Sequence, residues 1–177
     1  LYDIYERRMD DMAEAISMEM GAPIDFSKAS QATSGTSAIK EFTRQLKKFE
    51  FEEPLEGSDD QLLYEPKGVC ALITPWNWPI SQVALKVIPA IAAGCTMVLK
   101  PSELSPLDSM IFAEMLDEAG CPAGVFNLVN GDGAGVGSQL TSHPDIDMIS
   151  FTGSTRAGSL ISHNAADDFK RVALELG

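Results

Sequence analysis

The chain has 177 residues, of which 45% are hydrophobic and 22% are charged, and its formal net charge is -13. This composition predicts an ordinary globular protein with a buried core and excludes fibrous and disordered classes. The strong negative charge disfavours nucleic acids and anionic membranes as partners, because binders of both need a basic face.

No apolar stretch approaches the roughly 18 residues needed to span a bilayer, and no basic-then-apolar export segment opens the sequence, so we expect a cytoplasmic protein. The three cysteines, Cys70, Cys95 and Cys121, lack the paired spacing of metal ligands and lie in or beside apolar segments. We expect them to be reduced core residues, with no metal site. The chain opens at Leu1 without methionine and stops at Gly177 after an apolar run, so both ends are expected to be internal points of a longer sequence.

Two amphipathic helices are predicted at the N-terminus. The first covers residues 1–20 and is ended by Gly21 and Pro23. The second has Thr36 or Ser37 as its N-cap, and its apolar face is formed by Ile39, Phe42, Leu46 and Phe49.

An acidic stretch follows these helices. Residues 50–61, EFEEPLEGSDDQ, contain a proline and a glycine, which is typical of a surface connection rather than a binding site. Residues 1–61 are therefore interpreted as a helical part with an acidic connection.

From Tyr64 onward, short apolar runs alternate with helical segments, which predicts strands and crossover helices around a parallel sheet. The predicted strands are 68–73, 95–100, 125–129, 147–151 and 171–176. The predicted helices lie near 80–93, 106–119, 134–141 and 155–166. The second of these helices has Ser105 as its cap, Pro106 at its first position and Gly120 beyond its end. The pattern predicts a doubly wound α/β domain.

Ligands of such sheets bind beyond the carboxyl ends of the strands, so the turns are where a site is expected. The turns, in chain order, are TPWNWP (74–79), KPSE (100–103), NGDGAGVG (130–137) and FTGST (151–155), and the last strand carries LELG (174–177).

Each turn alone leaves alternatives open. The alternating glycines of 130–137 do not form the dinucleotide fingerprint and also suit an ordinary turn. Gly153, Ser154 and Thr155 begin a helix, where an anion such as pyrophosphate is favoured, but an ordinary N-cap explains them nearly as well. Lys100 and Glu103 suit ribose hydroxyls, but taken alone this pair favours a surface ion pair.

Together and in this order, TPWNWP, KPSE, FTGST and LELG resemble the aldehyde dehydrogenase superfamily, and the resemblance runs from the first helix to the last residue. It implies a Rossmann-like dinucleotide-binding domain over residues 67–177, with helices on both faces of a five-stranded sheet. The catalytic domain that follows in the family is not contained in these residues. A strand at LLYEP, residues 62–66, matches the first strand of the family's oligomerisation hairpin, which implies a homodimer or homotetramer at full length.

The resemblance assigns catalytic roles to two residues. Asn77 matches the family asparagine whose amide stabilises the oxyanion formed when a cysteine attacks the aldehyde. Glu175 matches the base that activates water for hydrolysis of the thioester. Lys86 matches a lysine proposed to relay protons, although a plain solvated lysine fits as well. A buried aromatic turn with a structural asparagine is the alternative for Asn77.

The resemblance also implies a cofactor site for NAD, with NADP possible. Lys100 and Glu103 would hold the adenine ribose, and Glu103 would repel a 2′-phosphate. Gly133 would approach the adenosine half, whereas Gly153 and Ser154 would contact the pyrophosphate. The remaining residues of the implied cofactor set are Thr74, Pro75, Trp76, Ser102, Phe151 and Leu176.

The family nucleophile is a cysteine beyond the LELG glutamate, so none of Cys70, Cys95 and Cys121 is expected to serve, and the isolated 177 residues are expected to oxidise no aldehyde. The predicted function is oxidation of a small-molecule aldehyde to a carboxylic acid with NAD. Transfer of the acyl group to coenzyme A is less favoured, because branches of that kind often lack the glutamate found at position 175. A non-catalytic dinucleotide-binding or structural module is the alternative from another class.

Overall fold

The computed structural model describes residues 1–177, which begin with two short helices, α1 (Tyr2–Arg7) and α2 (Met9–Met20). The prediction of one helix over residues 1–20 is wrong at Arg8, where the backbone turns with φ -106° and ψ 15°. The Arg8 guanidinium there forms an ion pair with Glu114, so a contact that is distant in the sequence accompanies the break. Gly21 ends α2 in the left-handed conformation, as predicted.

The chain then continues through α3 (Ile24–Phe26), a π-helical turn (Ser27–Gln31) and α4 (Thr33–Leu46). The prediction that Thr36 or Ser37 caps the second helix is wrong, because both lie inside α4. Their hydroxyls donate to the carbonyl of Thr33, at 2.8 Å and 3.3 Å. The π-helical turn runs directly into α4, so no free amides remain at that point for a cap to satisfy.

A two-stranded antiparallel hairpin follows α4. Its strands are β1 (Glu52–Pro54) and β2 (Gln61–Leu63). Two predictions are therefore wrong. Residues 50–61 contain β1 and the first residue of β2, so they are not only a connection. The strand expected at residues 62–66 is the second strand of this hairpin rather than the first, and it ends at Leu63. Every residue of both strands is exposed, so no burial pattern marks them in the sequence. The role of this hairpin in oligomerisation stays a prediction.

The central sheet confirms the predicted α/β fold. Its five parallel strands lie in the order β5-β4-β3-β6-β7. They are β3 (Val69–Ile73), β4 (Thr96–Lys100), β5 (Phe126–Leu128), β6 (Met148–Gly153) and β7 (Arg171–Leu176). The predicted strands agree with these bounds to within two residues, because short apolar runs between turn residues are a strong local signal.

Four helices connect the strands. They are α5 (Pro79–Ala92), α6 (Leu107–Glu118), α7 (Ser138–Ser142) and α8 (Thr155–Ala166), and a second π-helical turn (Gly133–Gly137) leads into α7. The prediction that Ser105 caps α6 is wrong, since its hydroxyl is buried without a partner. A carboxylate oxygen of Glu19 accepts from the Leu107 amide at 2.8 Å, so α2 caps α6. Pro106 precedes the helix, and Gly120 ends it with φ 81°.

Successive side chains of each strand point to opposite faces of the sheet, so the protein has two hydrophobic cores, one on each face. Cys70 and Leu72 of β3 point to the face covered by α5, α6 and the N-terminal helices, whereas Ala71 and Ile73 point to the opposite face. Ile161 of α8 lies in the second core. Helices thus cover both faces of the sheet, as predicted.

The order of the strands fixes where a site can form. The chain moves outward from β3 through β4 to β5 and then returns to place β6 and β7 on the other side of β3. The turns after β3 and β6 leave the sheet side by side, at the switch point where doubly wound sheets bind ligands. No helix has the length and apolar character that crossing a bilayer would demand.

Asp108 is an unusual residue of the larger core. It lies in the first turn of α6 with no exposed surface, and neither carboxylate oxygen has a hydrogen-bond partner. Burial raises the pKa of the Asp108 carboxyl to about 8, and the charge of Glu19 adds to the rise while the nearby amide of Ser109 opposes it only in part. Between pH 3.8 and about 8, the Asp108 carboxyl is therefore protonated in the folded chain and ionised in the unfolded chain.

This burial predicts a stability that falls as the pH rises. Because the folded-state pKa lies above the unfolded value of 3.8, the contribution of Asp108 to the free energy of unfolding should be fully present below that value and decline until the pH passes about 8. Asp108→Asn removes the titration at nearly constant shape. Between pH 5 and pH 9 the free energy of unfolding of the native protein should fall by on the order of 4 kcal/mol more than that of the variant, as measured by chemical denaturation. Parallel losses in the two proteins would contradict the burial of an ionisable Asp108.

Candidate active site

The turn after β3 holds Asn77 in a fixed position. Pro79 opens α5, and the Trp78 ring packs edge-on against Phe26 with centroids 5.9 Å apart. The Asn77 carbonyl accepts a hydrogen bond from the buried Gln31 amide at 3.4 Å. The Asn77 side chain is exposed and makes no hydrogen bond within the chain, so its amide is free to donate to a ligand.

The turn after β6 brings the start of a helix close to Asn77. A Cβ at Gly153 would lie 2.5 Å from Cζ of the Phe151 ring, so this position requires glycine. Ser154 caps α8, because its hydroxyl accepts from the Ala157 amide at 3.3 Å. The first amides of α8 have no carbonyl one turn earlier within the helix to bind, and they create a partial positive charge beside the turn.

The end of β7 completes this part of the surface. Glu175 pairs in register with Thr152, and Leu176 pairs with Gly153. The Glu175 carboxylate is exposed and forms no hydrogen bond or ion pair within the chain. A base that is to act on a ligand must be free in this way.

These three segments line one cleft of about 490 Å³, called here the Asn77 cleft. It contains the predicted residues Pro75, Trp76, Asn77, Gly153, Ser154, Glu175 and Leu176. Residues from the ends of β3, β6 and β7 that are widely separated in the sequence therefore face the same space. Trp76, nearly half exposed, forms part of its wall.

The turn after β4 is organised around a buried lysine. Lys100 is only 3% exposed, and its ammonium donates to the carbonyls of Pro101 and Gly131, both at 2.8 Å. A carboxylate oxygen of Glu103 lies 3.6 Å from the same nitrogen. The Lys100–Glu103 pair therefore forms, and carbonyl oxygens satisfy the buried charge.

A second cleft of about 520 Å³, called here the Lys100 cleft, lies between these residues and the helices α7 and α8. It is lined by the predicted residues Lys100, Glu103, Gly133 and Phe151. A Cβ built at Gly133 would meet no atom within 4 Å, so the space in front of this glycine is open.

Two predicted residues line neither cleft. The Thr74 hydroxyl is buried without a partner, and the Ser102 hydroxyl accepts from the Leu104 amide at 3.3 Å. The cofactor roles of these two residues stay predictions.

Several residues that line the clefts are missed in the sequence, among them two charged residues and a threonine. Asp132 caps the second π-helical turn by accepting from the Gly135 amide at 2.7 Å, and Arg156 lines the Lys100 cleft from α8. Thr152 lines the Asn77 cleft opposite Glu175. An aspartate before a glycine run is a recognisable cap signal, whereas nothing in the local sequence marks the other two.

Lys86 is directed toward the sheet rather than toward solvent. It lies on α5, is 9% exposed, and donates to the Ser150 hydroxyl at 2.9 Å. Burial lowers the pKa of Lys86, and the negative charge of Glu175 opposes this change. The alternative of a solvated lysine is therefore wrong for this residue.

The cysteines lie away from both clefts. Cys70 and Cys95 are buried, Cys121 is half-buried, and all three are free thiols, as expected. Burial raises the pKa of the Cys70 thiol to about 12, and the nearby Cys95 contributes, so little thiolate forms at neutral pH. No cluster of three or more potential metal ligands occurs.

Comparisons with known proteins agree with the fold. The sequence profile described as the aldehyde dehydrogenase family matches residues 1–177. A curated relative, 3-succinoylsemialdehyde-pyridine dehydrogenase from a Pseudomonas species, is 53% identical over 174 residues, which are 98% of this chain and 36% of that protein.

Two solved structures are also similar. An aldehyde dehydrogenase from Bartonella henselae superposes with a TM-score of 0.97 at 61% identity, covering 99% of this chain and 37% of that one. A mutant of aldehyde dehydrogenase C from Pseudomonas syringae, solved with NAD+ and octanal, gives a TM-score of 0.96 at 50% identity, covering 99% and 36%. The chain thus spans little more than a third of these relatives.

Proposed function

The chain belongs to the aldehyde dehydrogenase family, and we propose that it forms the cofactor-binding part of an enzyme that oxidises an aldehyde to a carboxylic acid with NAD. The observation that carries this proposal is that Asn77, in the turn after β3, and Glu175, near the end of β7, line one cleft beside Gly153 and Ser154. An amide donor and a free carboxylate that face the same space suit a reaction with an oxyanion and an activated water.

The two clefts have the donors and the space that a dinucleotide needs. Lys100 and Glu103 present a donor and an acceptor to ribose hydroxyls, and the open space at Gly133 admits the adenosine half. The amides at the start of α8 suit a pyrophosphate. Phe151 lines one cleft and Gly153 the other, so the clefts adjoin along β6. NAD, when bound, supplies the acceptor for the hydride that leaves the aldehyde carbon.

NAD is favoured over NADP because of Glu103. Its carboxylate is half exposed and lies in the Lys100 cleft, where it accepts from a free 2′-hydroxyl and repels a 2′-phosphate. Arg156, a cation that lines the same cleft, reduces this repulsion, so NADP remains a possible second cofactor.

Glu103→Gln is expected to narrow the preference for NAD over NADP by roughly tenfold, because like-charge repulsion at a half-exposed site is worth about 1 to 2 kcal/mol. The measurement is the ratio of the two dissociation constants in the full-length protein. Glu56→Gln, which removes the same charge from the exposed hairpin, is the matched control. A ratio that stays constant in Glu103→Gln would contradict the ribose assignment.

Asn77 and Glu175 act at successive stages. When a thiolate adds to the aldehyde carbon, the carbonyl oxygen gains the electron pair, and the Asn77 amide donates to that oxygen. After the hydride has left, Glu175 accepts a proton from the water whose oxygen attacks the thioester carbon. The carbon–sulfur bond then breaks, which releases the carboxylic acid and restores the thiolate. The presence of Glu175 favours water over coenzyme A as the acyl acceptor.

The thiolate is proposed to come from a part of the full-length protein outside residues 1–177. Cys70 and Cys95 are buried in the sheet, and none of the three cysteines lines the Asn77 cleft. That residues 1–177 alone oxidise no aldehyde stays a prediction.

The partners proposed for the full-length protein are a small-molecule aldehyde and further copies of the same chain. The P. syringae relative was solved with octanal, which supports an aldehyde as the class of substrate. Leu55, Leu62 and Leu63 of the hairpin are exposed, and such apolar surface supports assembly into a homodimer or homotetramer.

The experiment is an NADH absorbance assay on the full-length protein with short-chain, long-chain and aromatic aldehydes. NADH formation with release of the matching carboxylic acid is expected. The control is the double variant Asn77→Ala, Glu175→Gln, which should bind NAD with a similar dissociation constant and turn over far more slowly. Tight NAD binding with no turnover of any aldehyde would overturn the proposal in favour of a non-catalytic dinucleotide-binding module.

A further inference from the structure

Lys86 is held by a single side chain of the sheet. It lies on the sheet-facing side of α5, one turn after the fully buried Val83, and forms no ion pair within 4.0 Å. Its ammonium donates to the Ser150 hydroxyl at 2.9 Å. A buried charge with so few partners depends strongly on the one that it has. Ser150 therefore determines where the Lys86 ammonium lies.

The register of β6 and β7 relates this contact to Glu175. Ser150 pairs with Ala173, and Thr152 pairs with Glu175. Paired residues of neighbouring strands share a face, and every second residue along a strand returns to that face about 6.6 Å farther on. Ser150 and Glu175 are therefore on the same face of the sheet. The Lys86 ammonium contacts β6 at Ser150, two residues before Thr152, which is the partner of Glu175 on the neighbouring strand.

Few other charges act on Lys86. No other residue of α5 is charged, and neither β3 nor β6 carries a charge. On β7, Arg171 lies at the opposite end of the strand from Glu175. Other charged residues on elements packed against α5 have partners of their own: Lys100, Glu41, Arg44, Glu114 and Glu118. Lys28 of the first π-helical turn likewise pairs with Asp10. Of the remainder, Asp108 is buried in the first turn of α6, Asp117 lies near the end of α6, and Lys40 is exposed on α4.

We propose that Ser150 is a positioning residue that holds the Lys86 ammonium beneath Glu175, so that a fixed positive charge lies behind the carboxylate that accepts a proton from the attacking water. This inference rests on the proposed function and adds a residue to it. Without the Ser150 hydroxyl, the four-carbon side chain of Lys86 loses its anchor and relaxes toward water. The positive charge then moves away from Glu175, and hydrolysis of the thioester slows.

The test uses the full-length protein with Ser150→Ala, the hydroxyl-retaining Ser150→Thr, and Ser162→Ala as a control. Ser162 lies on α8, where its hydroxyl donates to the Gly158 carbonyl at 3.0 Å, and it lines neither cleft. The first readout needs no turnover: the pH dependence of Lys86 acylation by an amine-reactive reagent, measured by mass spectrometry. In Ser150→Ala the midpoint should rise by about one pH unit, because the ammonium leaves the buried position that lowers its pKa.

The second readout is the rate of thioester hydrolysis in a single turnover as a function of pH. The rate should fall by roughly threefold in Ser150→Ala and return toward the native value in Ser150→Thr, because the positive charge near Glu175 is lost in the first variant and kept in the second. The first NADH burst should keep its amplitude, since Ser150 lines neither cleft.

Two results would overturn the inference: a Lys86 midpoint in Ser150→Ala equal to that in Ser162→Ala, or a hydrolysis rate in Ser150→Ala that rises above the native rate. The second would mean that Ser150 holds Lys86 away from Glu175. If the native protein forms no NADH from any aldehyde, the proposed function fails, and with it the role of Ser150 in turnover. A shifted Lys86 midpoint in Ser150→Ala would then still show that Ser150 positions Lys86, because this readout depends on the contact between the two residues and not on turnover.

Discussion

Asn77→Ala in the full-length protein is expected to slow formation of the acyl-enzyme by roughly 100-fold to 1000-fold, the usual effect of deleting one donor to an oxyanion. The effect should be this large because the donor is already in place before the reaction. The Gln31 amide holds the Asn77 carbonyl, and Pro75 and Pro79 stiffen the turn, so the side chain needs little reorganisation to donate.

The measurement is the rate of the first NADH burst at saturating aldehyde and NAD. The matched control is Asn130→Ala, which removes an exposed asparagine side chain that lines neither cleft. The dissociation constant for NAD and the melting temperature should stay near the native values in both variants, since the Asn77 side chain makes no hydrogen bond within the chain. A loss of less than tenfold in the burst rate would remove Asn77 from the oxyanion role and leave it as part of a structural turn.

The sheet could be predicted because its signals are local. Each strand is a short apolar run with turn residues at both ends, and β7 was predicted with both of its bounds, Arg171 and Leu176, in place. Glycines in the left-handed conformation after α2 and α6, Gly21 and Gly120, were predictable for the same reason, since few other residues adopt that backbone.

The errors occurred where distant residues decide the local structure. The cap of α6 comes from Glu19, 88 residues before the Leu107 amide that it accepts from, so the nearby Ser105 was a misleading signal. The hairpin strands are three residues long and exposed, and their pairing is set by register rather than by burial. The break at Arg8 likewise accompanies an ion pair with Glu114.

The sequence predicts residues of the candidate site but not how they are arranged in space. Motifs at the strand ends identified Asn77 and Glu175, yet only the strand order places them in one cleft and places Lys100 in another. The contact from Lys86 to Ser150 joins residues 64 positions apart, and a serine in the middle of a strand has no distinguishing local pattern. Contacts of this kind require the folded structure.

Glu175→Gln should separate the two stages of the reaction. The amide keeps the shape of the side chain but cannot accept a proton from water at neutral pH, so steady-state turnover should fall by roughly 100-fold or more. The first NADH burst should keep most of its amplitude and rate, because it precedes attack by water. Glu175 lies on the edge strand β7, exposed and free of internal partners, so the substitution breaks no contact of the fold.

Rapid mixing with aldehyde and NAD measures both phases in one trace, and Glu50→Gln, an exposed change remote from both clefts, serves as the control. The native protein and the control should show the same ratio of burst to steady-state rate, whereas in Glu175→Gln that ratio should rise by roughly the factor lost in turnover. If both phases slowed equally, Glu175 would act before the thioester forms, by taking the proton from the attacking thiol. Its position across the Asn77 cleft from the amide donor would then serve the nucleophile, and hydrolysis would need another base.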